Sequence, residues 1–304
     1  MSVTHRNVVS SLTFEQRTEL LKRSDYPGIV HLAAHWSCII TTALLIHGRV
    51  PYWQLLLPIQ GIFIVFLFSL LHETIHRTPF KTRWINIFVS NACGFLIVLG
   101  PIWFRSFHTN HHRYTNDPTK DPELITKKPE TWIEYLFYLS GIPVWYLQLR
   151  RLFVGAFKTT QDSFVAVTIR PAIKREARRF LLGYAVLAFA SWYMQTTVLL
   201  WTWLIPLIFG QPFLRAFLLA EHGGCPDVGN MLENTRTTFT NPVVRFFTWN
   251  MPYHAEHHTF PAVPFHNLPE LHQYTKAHLQ VTERGYVRFH RNFTKSLSHA
   301  NLAK

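Results

Sequence analysis

Charge is scarce in this chain. Only 15% of its 304 residues are Asp, Glu, Lys or Arg, and acids are the rarer sign, 17 against 30 basic residues. Soluble domains carry about 25% charged residues, so a freely soluble fold is not expected. Cysteine is nearly missing too. Cys38, Cys93 and Cys225 show no C-x-x-C spacing and leave an odd count, which argues against a disulfide framework or a thiolate cluster and fits a reducing compartment. The first 28 residues carry Glu15, Arg17, Glu19, Lys22 and Arg23 without an apolar core, so no signal peptide is expected. No internal repeat or low-complexity tract is visible. The net charge of +13 does not point to nucleic acid, because no soluble basic module accompanies it. A basic face resting on anionic lipid headgroups accounts for it.

What is present is aromatic and apolar. Aromatic residues make up 15% of the chain, and uncharged runs recur at spanning length, about 20 residues. Residues 28–48 and 53–71 each qualify, and residues 180–220 hold Arg215 as their only charge. The expected architecture is an all-α integral membrane protein with four transmembrane helices in two hairpins, near 28–48, 53–71, 180–200 and 204–220. A cytoplasmic helical cap would carry a dimetal site. The segment 84–104 is long enough to span but holds Asn86, Ser90, Asn91, Gly94 and Gly100; it is expected to lie in the interface or to re-enter. Residues 105–179 hold thirteen Lys and Arg, whereas Arg49 is alone in the two expected outer turns. The positive-inside rule then puts both termini and the site in the cytoplasm. The expected organisation is a cytoplasmic N-terminal segment 1–27, a membrane domain 28–275 and a basic cytoplasmic tail 276–304.

Three histidine clusters stand beside these runs: His72-Glu73-Thr74-Ile75-His76, His108-Thr109-Asn110-His111-His112 and His254-Ala255-Glu256-His257-His258. On a helix, positions i, i+3 and i+4 share a face, so each cluster aims its imidazoles in one direction. The first would end the second span, and the second would open a cytoplasmic helix. The third follows an apolar-aromatic stretch, 243–249. His222 comes directly after the last apolar run, at the depth of His76. Nine candidate ligands result, His72, His76, His108, His111, His112, His222, His254, His257 and His258. They suit two ions with four or five ligands each and a position left for oxygen or water. A lone histidine is more often structural, and His31 and His35, though spaced i, i+4, have no third partner and are expected to be interfacial. His72-Glu73-x-x-His76 also fits a zinc-protease pattern, but that reading leaves the other clusters unexplained. A metal transporter would want acids inside its spans, and the first two have none.

With these boxes, and with their contexts Leu71-His72-Glu73-Thr74-Ile75-His76-Arg77 and Asn250-Met251-Pro252-Tyr253-His254-Ala255-Glu256-His257-His258, the chain resembles the membrane fatty acid desaturase and hydroxylase superfamily over about residues 28–275. The resemblance implies two ferrous ions on the nine histidines, dioxygen as co-substrate, and a long-chain lipid substrate in the bilayer. It implies a desaturase of fatty acyl or lipid chains. A hydroxylase of a carotenoid or acyl chain, or a desaturase of a small vinyl-ether-type metabolite, is the alternative, because the run Thr115-Asn116-Asp117-Pro118-Thr119-Lys120-Asp121-Pro122-Glu123 is similar to segments from more than one branch. Asn250 is placed like an asparagine that contacts the metal through water in relatives. Glu73, Asp117, Asp121, Glu221 and Glu256 are candidate acceptors for the ligands' outer nitrogens, and Arg236 is a candidate for a substrate headgroup. The aromatic lining is expected from Trp103, Phe104, Phe107, Phe246, Phe247 and Trp249. No His-Pro-Gly-Gly haem motif occurs, so electrons are expected from an external ferredoxin-like or cytochrome-type donor with its reductase.

Overall fold

The computed structural model describes residues 3–297, and its regular structure is helical apart from one two-stranded pairing. Two short helices, α1 (His5–Ser11) and α2 (Phe14–Leu20), each begin with a capping box, Thr4 with Asn7 and Thr13 with Gln16. Ser24 caps α3 (Asp25–His47). A turn with Arg49 and Tyr52 at positive φ leads into α4 (Leu56–Val65) and α5 (Leu67–His76), which follow one another almost without a break. Then come α6 (Arg83–Leu96) and α7 (Pro101–Tyr114), bent by 100° against each other. The bend has a local cause: Val98 takes a positive φ, and Pro101 opens α7 at a position where its missing N–H is not needed. The carboxylate of Glu176 accepts the Ile102 N–H at 3.1 Å from across the fold.

The chain continues through α8 (Trp132–Leu139), α9 (Ile142–Phe157) and α10 (Arg170–Tyr193), then a π-helical turn at Leu200–Leu204 and α11 (Ile205–His222). Four short helices, α12 (Met231–Asn234), α13 (Pro242–Phe247), α14 (His254–Thr259) and α15 (Leu268–Thr275), form the lid over the helix ends. Strand β1 (Thr237–Thr238) pairs in parallel with β2 (Thr282–Glu283). The last helix, α16 (Tyr286–Lys295), folds back so that Tyr286 meets Phe217 of α11, ring centroids 5.3 Å apart. Residues 298–304 of the expected tail lie outside the described residues.

Among the described residues, three helical stretches are long and apolar enough to cross a membrane: Phe14–His47, Trp53–His76 and Leu200–His222, with a fourth only if the bent pair α6–α7 counts as one span. The expected spans 53–71 and 204–220 fall inside them, and 28–48 does so up to its last residue, Gly48, the cap of α3. The expected span 180–200 does not exist as one helix. α10 begins ten residues earlier, with Arg170, Lys174, Arg175, Arg178 and Arg179 in its first half, and stops at Tyr193. It ends in a Schellman-type turn, with Gln195 at φ 49 and the Thr196 N–H bonded to the Ser191 carbonyl. The reversal therefore precedes Trp201 instead of following it. The polar trio Gln195-Thr196-Thr197 marks it, whereas the proline at 206 merely follows the π-turn.

α4, which leads into the helix that carries His76, is in backbone contact with α11, which ends at His222. A Cβ on Gly61 of α4 would stand 2.1 Å from the Pro206 carbonyl oxygen, and one on Gly210 of α11 would stand 2.3 Å from the Gly61 carbonyl oxygen. Small residues permit this approach between apolar helices. Large apolar side chains point outward from α3, α10 and α11, for example Leu44, Phe189 and Phe213, and also from α8 and α9, where Leu136, Phe137, Tyr146 and Phe153 are exposed.

Candidate metal centre

α5 and α7 each bring an i, i+4 histidine pair to the same point. His72 and His76 come from the last turns of α5, His108 and His112 from the last turns of α7, so the second cluster closes its helix instead of opening one. The bend at 97–100 is what allows it, because it turns α7 back along the end of α5. The lid contributes α14, held by a short turn in which Trp249 and Asn250 take positive φ.

All nine candidate histidines meet there, in two groups. His72, His76, His108, His112 and His257 form the first; His111, His222, His254 and His258 form the second. Within each group one ring nitrogen per residue lies within 4.8 Å of all the others. Ring nitrogens of neighbouring histidines face one another at short range. His111 Nε2 and His254 Nε2 each stand 3.1 Å from His222 Nε2; His112 Nε2 stands 2.7 Å from His108 Nε2 and 3.1 Å from His257 Nε2.

The outward nitrogens explain the tautomers of the second group. Nδ1 of His111 donates to Asp121 at 3.0 Å, and Nδ1 of His222 to the Asn234 carbonyl at 3.2 Å. His254 Nδ1 is 3.3 Å from Glu221 Oε1. His258 Nδ1 is 3.2 Å from the Thr115 hydroxyl, whose own proton goes to the His111 carbonyl. With Nδ1 carrying the proton, each Nε2 presents a lone pair, and lone pairs at 3.1 Å repel unless a cation lies between them. The buried, unpartnered Nε2 atoms of His72, His76 and His258 have the same character. The donor set thus fits metal ions. Burial pushes His254, His257 and His258 well below the ordinary imidazole pKa, with neighbouring imidazoles adding to the effect, so they stay neutral and able to ligate. His111 goes the other way: burial lowers its pKa, but Glu123 and Asp121 more than offset it and the net shift is upward.

A cavity of about 460 Å³ opens on both groups. His72 and His108 of the first and His111 and His254 of the second line it. Along α7 its wall runs from Trp103 through Phe104 and Phe107 to the histidines, and α9 closes the opposite side with Val144, Leu147 and Arg151. The Arg151 guanidinium lies over the Trp103 ring at 3.4 Å, and Trp103 Nε1 donates to Asp162 at 2.7 Å. At the histidine end the wall turns polar with Glu123, Tyr138, Arg215 and Glu221.

Several expected partners are elsewhere. Asp117 is tied to Thr119 in an exposed turn and reaches none of the histidines, because the turn after α7 directs Asp121 inward instead. Glu256 is fully buried but faces away from the groups, accepting from Thr237 at 2.6 Å and His272 at 2.5 Å; it braces α14 against α15. Arg236 does not line the cavity. It donates to the carbonyls of Ala220 and Gly223 at the end of α11 and stacks on Phe289. Asn250 donates to the Phe265 carbonyl at 3.0 Å. Phe246, Phe247 and Trp249 are absent from the cavity wall; they pack on α3 and α4, for instance Phe247 on Phe63 at 4.6 Å. His31, half-buried, and His35, buried, are cross-braces to that stretch. His31 donates to the Phe246 carbonyl at 2.7 Å, and His35 donates to the Phe63 carbonyl and accepts from Trp249 Nε1. Of the remaining acceptors, Glu73 lies 3.7 Å from His257 Nδ1 and 3.9 Å from His72 Nδ1, held by Thr78 and the Phe265 N–H.

Sequence reasoning passed over Glu123, Tyr138 and Arg215. A signal existed for Arg215, a lone charge in an apolar run, which is a functional candidate by default. Tyr138 gave none.

Residues 50–292 match the family described as fatty acid desaturase, and the chain belongs to that family. Among its relatives are the sphingolipid delta(4)-desaturase/C4-monooxygenase of Rattus norvegicus, 26% identical over 211 residues, and the sphingolipid delta(4)-desaturase of the same organism, 28% identical over 211 residues. Each alignment covers 66% of this chain and 58% of the relative. The sphingolipid delta(4)-desaturase of Candida albicans is 21% identical over 225 residues, covering 70% of this chain and 57% of its own. The chain thus spans somewhat over half the length of the relatives it matches.

Proposed function

We propose that this protein is an oxygen-dependent diiron oxidoreductase that introduces a C=C bond into the alkyl chain of a membrane lipid. One observation carries the reading: a single cavity with an apolar, aromatic arm ends on histidines of both groups at once. Two divalent ions also suit the local charge. Four carboxylates, Glu73, Asp121, Glu123 and Glu221, lie within 4 Å of ring nitrogens of the nine histidines, where they could offset the charge of bound cations. The five-histidine and four-histidine groups would each hold one iron, which when loaded supplies oxygen activation and abstraction of hydrogen from an unactivated C–H bond.

The chain's own residues do the rest. Phe104, Phe107 and Trp103 exclude water and fix the alkyl chain along α7, so that one carbon faces the histidines. The polar end favours a lipid whose oxidised carbon is a few bonds from a hydroxyl or amide head, since Arg215 and Tyr138 can donate there and Glu221 can accept. The relatives' named substrates, sphingolipids, agree with that placement. Hydroxylation is the second reading, favoured by the relatives named as both desaturase and C4-monooxygenase. Both begin with the same hydrogen abstraction. Electrons would come from a separate ferredoxin-like or cytochrome-type donor and its reductase.

The same reading assigns four crossings. The start of α3 and the ends of α5 and α11 must share a side if His76 and His222 are to meet, so the chain between them must reach the far side before α11 begins. α10, 24 residues long and so about 36 Å, is the element that does this. Both termini and the site then face the cytoplasm. The test is lipid profiling of a host expressing the chain with a matched reductase. Lipids two mass units lighter, absent with His257→Ala, support desaturation. Products sixteen units heavier support hydroxylation, and no oxidised lipid of either kind refutes both.

A further inference from the structure

We propose that His290, from the C-terminal helix α16, is a positioning residue for the lipid head, because it ties the α8 wall of the cavity to α11. This rests on the reading that the polar end of the cavity receives that head.

The imidazole stands between two helices and uses both its nitrogens. Nδ1 is 2.9 Å from the Tyr135 hydroxyl of α8, and Nε2 is 3.0 Å from the Ala216 carbonyl of α11. A carbonyl can only accept, so Nε2 carries the proton and Nδ1 accepts from the tyrosine. Burial holds the His290 pKa below the ordinary imidazole value, against the opposing bond to Ala216. The ring therefore stays neutral and fit for both roles.

What the bridge joins is the polar end of the cavity. Tyr138 stands three residues after Tyr135, close on the same helix face, and Arg215 directly precedes Ala216. Tyr138 and Arg215 both line the cavity, with Glu134 and Phe137 from the first helix and Leu218 and Glu221 from the second. Tyr138 is near enough to Arg215, Glu123 and Glu221 to feel their charge. A shift of α8 against α11 therefore alters the pair of donors that meets the head.

α8 needs such a tie. It has eight residues, and Ile133 and Leu136 on its outer side are exposed. Its far end is set where Gly141, at φ 71, passes so close to α11 that a Cβ would stand 2.5 Å from Gln211 Cγ. Tyr135, buried, is the point held nearer the start. α16 in turn is a firm base. Strand β2 pairs with β1 just ahead of it, Arg236 lies over Phe289 at 4.7 Å, and Tyr286 packs on Phe217. The two hydrogen bonds of His290 reach none of the nine histidines, so an effect on substrate should separate from an effect on metal.

The experiment uses the full chain with a matched reductase and measures KM, kcat and iron content for wild type, His290→Ala, His290→Gln and Tyr135→Phe. The probes are a saturated sphingolipid and its analogue lacking the head hydroxyl. His290→Ala should raise KM for the first about five- to tenfold, leave kcat and iron content close to wild type, and narrow the preference over the analogue. His290→Gln, whose amide can both donate and accept, should recover most of that KM. Tyr135→Phe cuts the α8 half of the bridge alone and should repeat the alanine result; it decides if His290→Ala folds poorly. A lowered melting temperature with KM and preference unchanged would overturn the proposal, as would a fall in kcat or iron content in place of the KM effect. A wild type that oxidises neither lipid, or does not prefer the hydroxyl, overturns the reading of the cavity beneath it, and the proposal with that reading.

Discussion

Behind His111, His222 and His258 stand oxygens hydrogen-bonded to an outward ring nitrogen at 3.0–3.2 Å, and Glu221 lies 3.3 Å from His254 Nδ1 without a hydrogen bond. Behind His72, His76, His108, His112 and His257 the support is thinner: Glu73 lies at 3.7 and 3.9 Å from two of them, and His112 Nδ1 is buried without a partner. The difference follows from where the rings come from. The first group draws four of its five members from i, i+4 pairs on α5 and α7, where the helix itself orients the rings. The second gathers His111 and His222 singly from α7 and α11 and relies on side-chain and carbonyl acceptors to hold them. Helix geometry and outer hydrogen bonds are thus two ways to the same end, and the two halves of this site use them in different proportion.

The largest test removes a ring from each half. His222→Ala and His257→Ala should each abolish oxidised product and each release metal, while His31→Ala should keep both ions. Metal analysis beside the product assay reads both. Next comes the support. Asp121→Asn should weaken the second group by about 10–100-fold, whereas Glu73→Gln should cost the first group less than about tenfold, because its contacts are longer. Equal losses in metal titration would erase the contrast between the halves. Arg236→Met removes a buried guanidinium from the Ala220 and Gly223 carbonyls next to His222. Thermal unfolding should show a loss of roughly 2–4 kcal/mol, with turnover per folded, metal-loaded molecule preserved. A headgroup role would show instead as a raised KM.

The smallest effect should touch both halves alike. Glu176 accepts the Ile102 N–H at 3.1 Å and so holds the start of α7, which carries histidines of both groups. Glu176→Gln keeps an acceptor there and should cost about 1 kcal/mol or less in thermal unfolding, with both ions weakened equally. A loss confined to one ion would show that the start of α7 serves one half only.

The grouping of the candidate histidines was legible because chemistry and period coincide: His72 and His76, or His254 and His258, declare a shared face in the sequence itself. His222 needed only its place after an apolar run. What stayed hidden was direction. Glu256 and Glu221 both adjoin ligand histidines in sequence, yet one points to His272 and the other to His254, and adjacency on a helix does not say which. For the same reason Arg236 was expected at the cavity and Arg215, which lines it, was passed over. The end of α10 was missed because Gln195 takes the left-handed conformation where Gly or Asn would have announced it. The cavity-lining share of α8 and α9 had no motif at all.

At Gly61 and Gly210 two backbones touch, and with no side chain between them neither helix can slide or tilt without a clash. α4 and α11 are therefore fixed to one another there like the jaws of a vice already closed, and α5 continues from α4 almost without a break. A lipid too bulky for the slot cannot be admitted by spreading that spine. Any yielding has to come from the opposite wall, α8 and α9, whose outward apolar faces would be free to move in a fluid bilayer. Selectivity for the head of the lipid and tolerance for its tail would then reside in different materials, one rigid and one compliant.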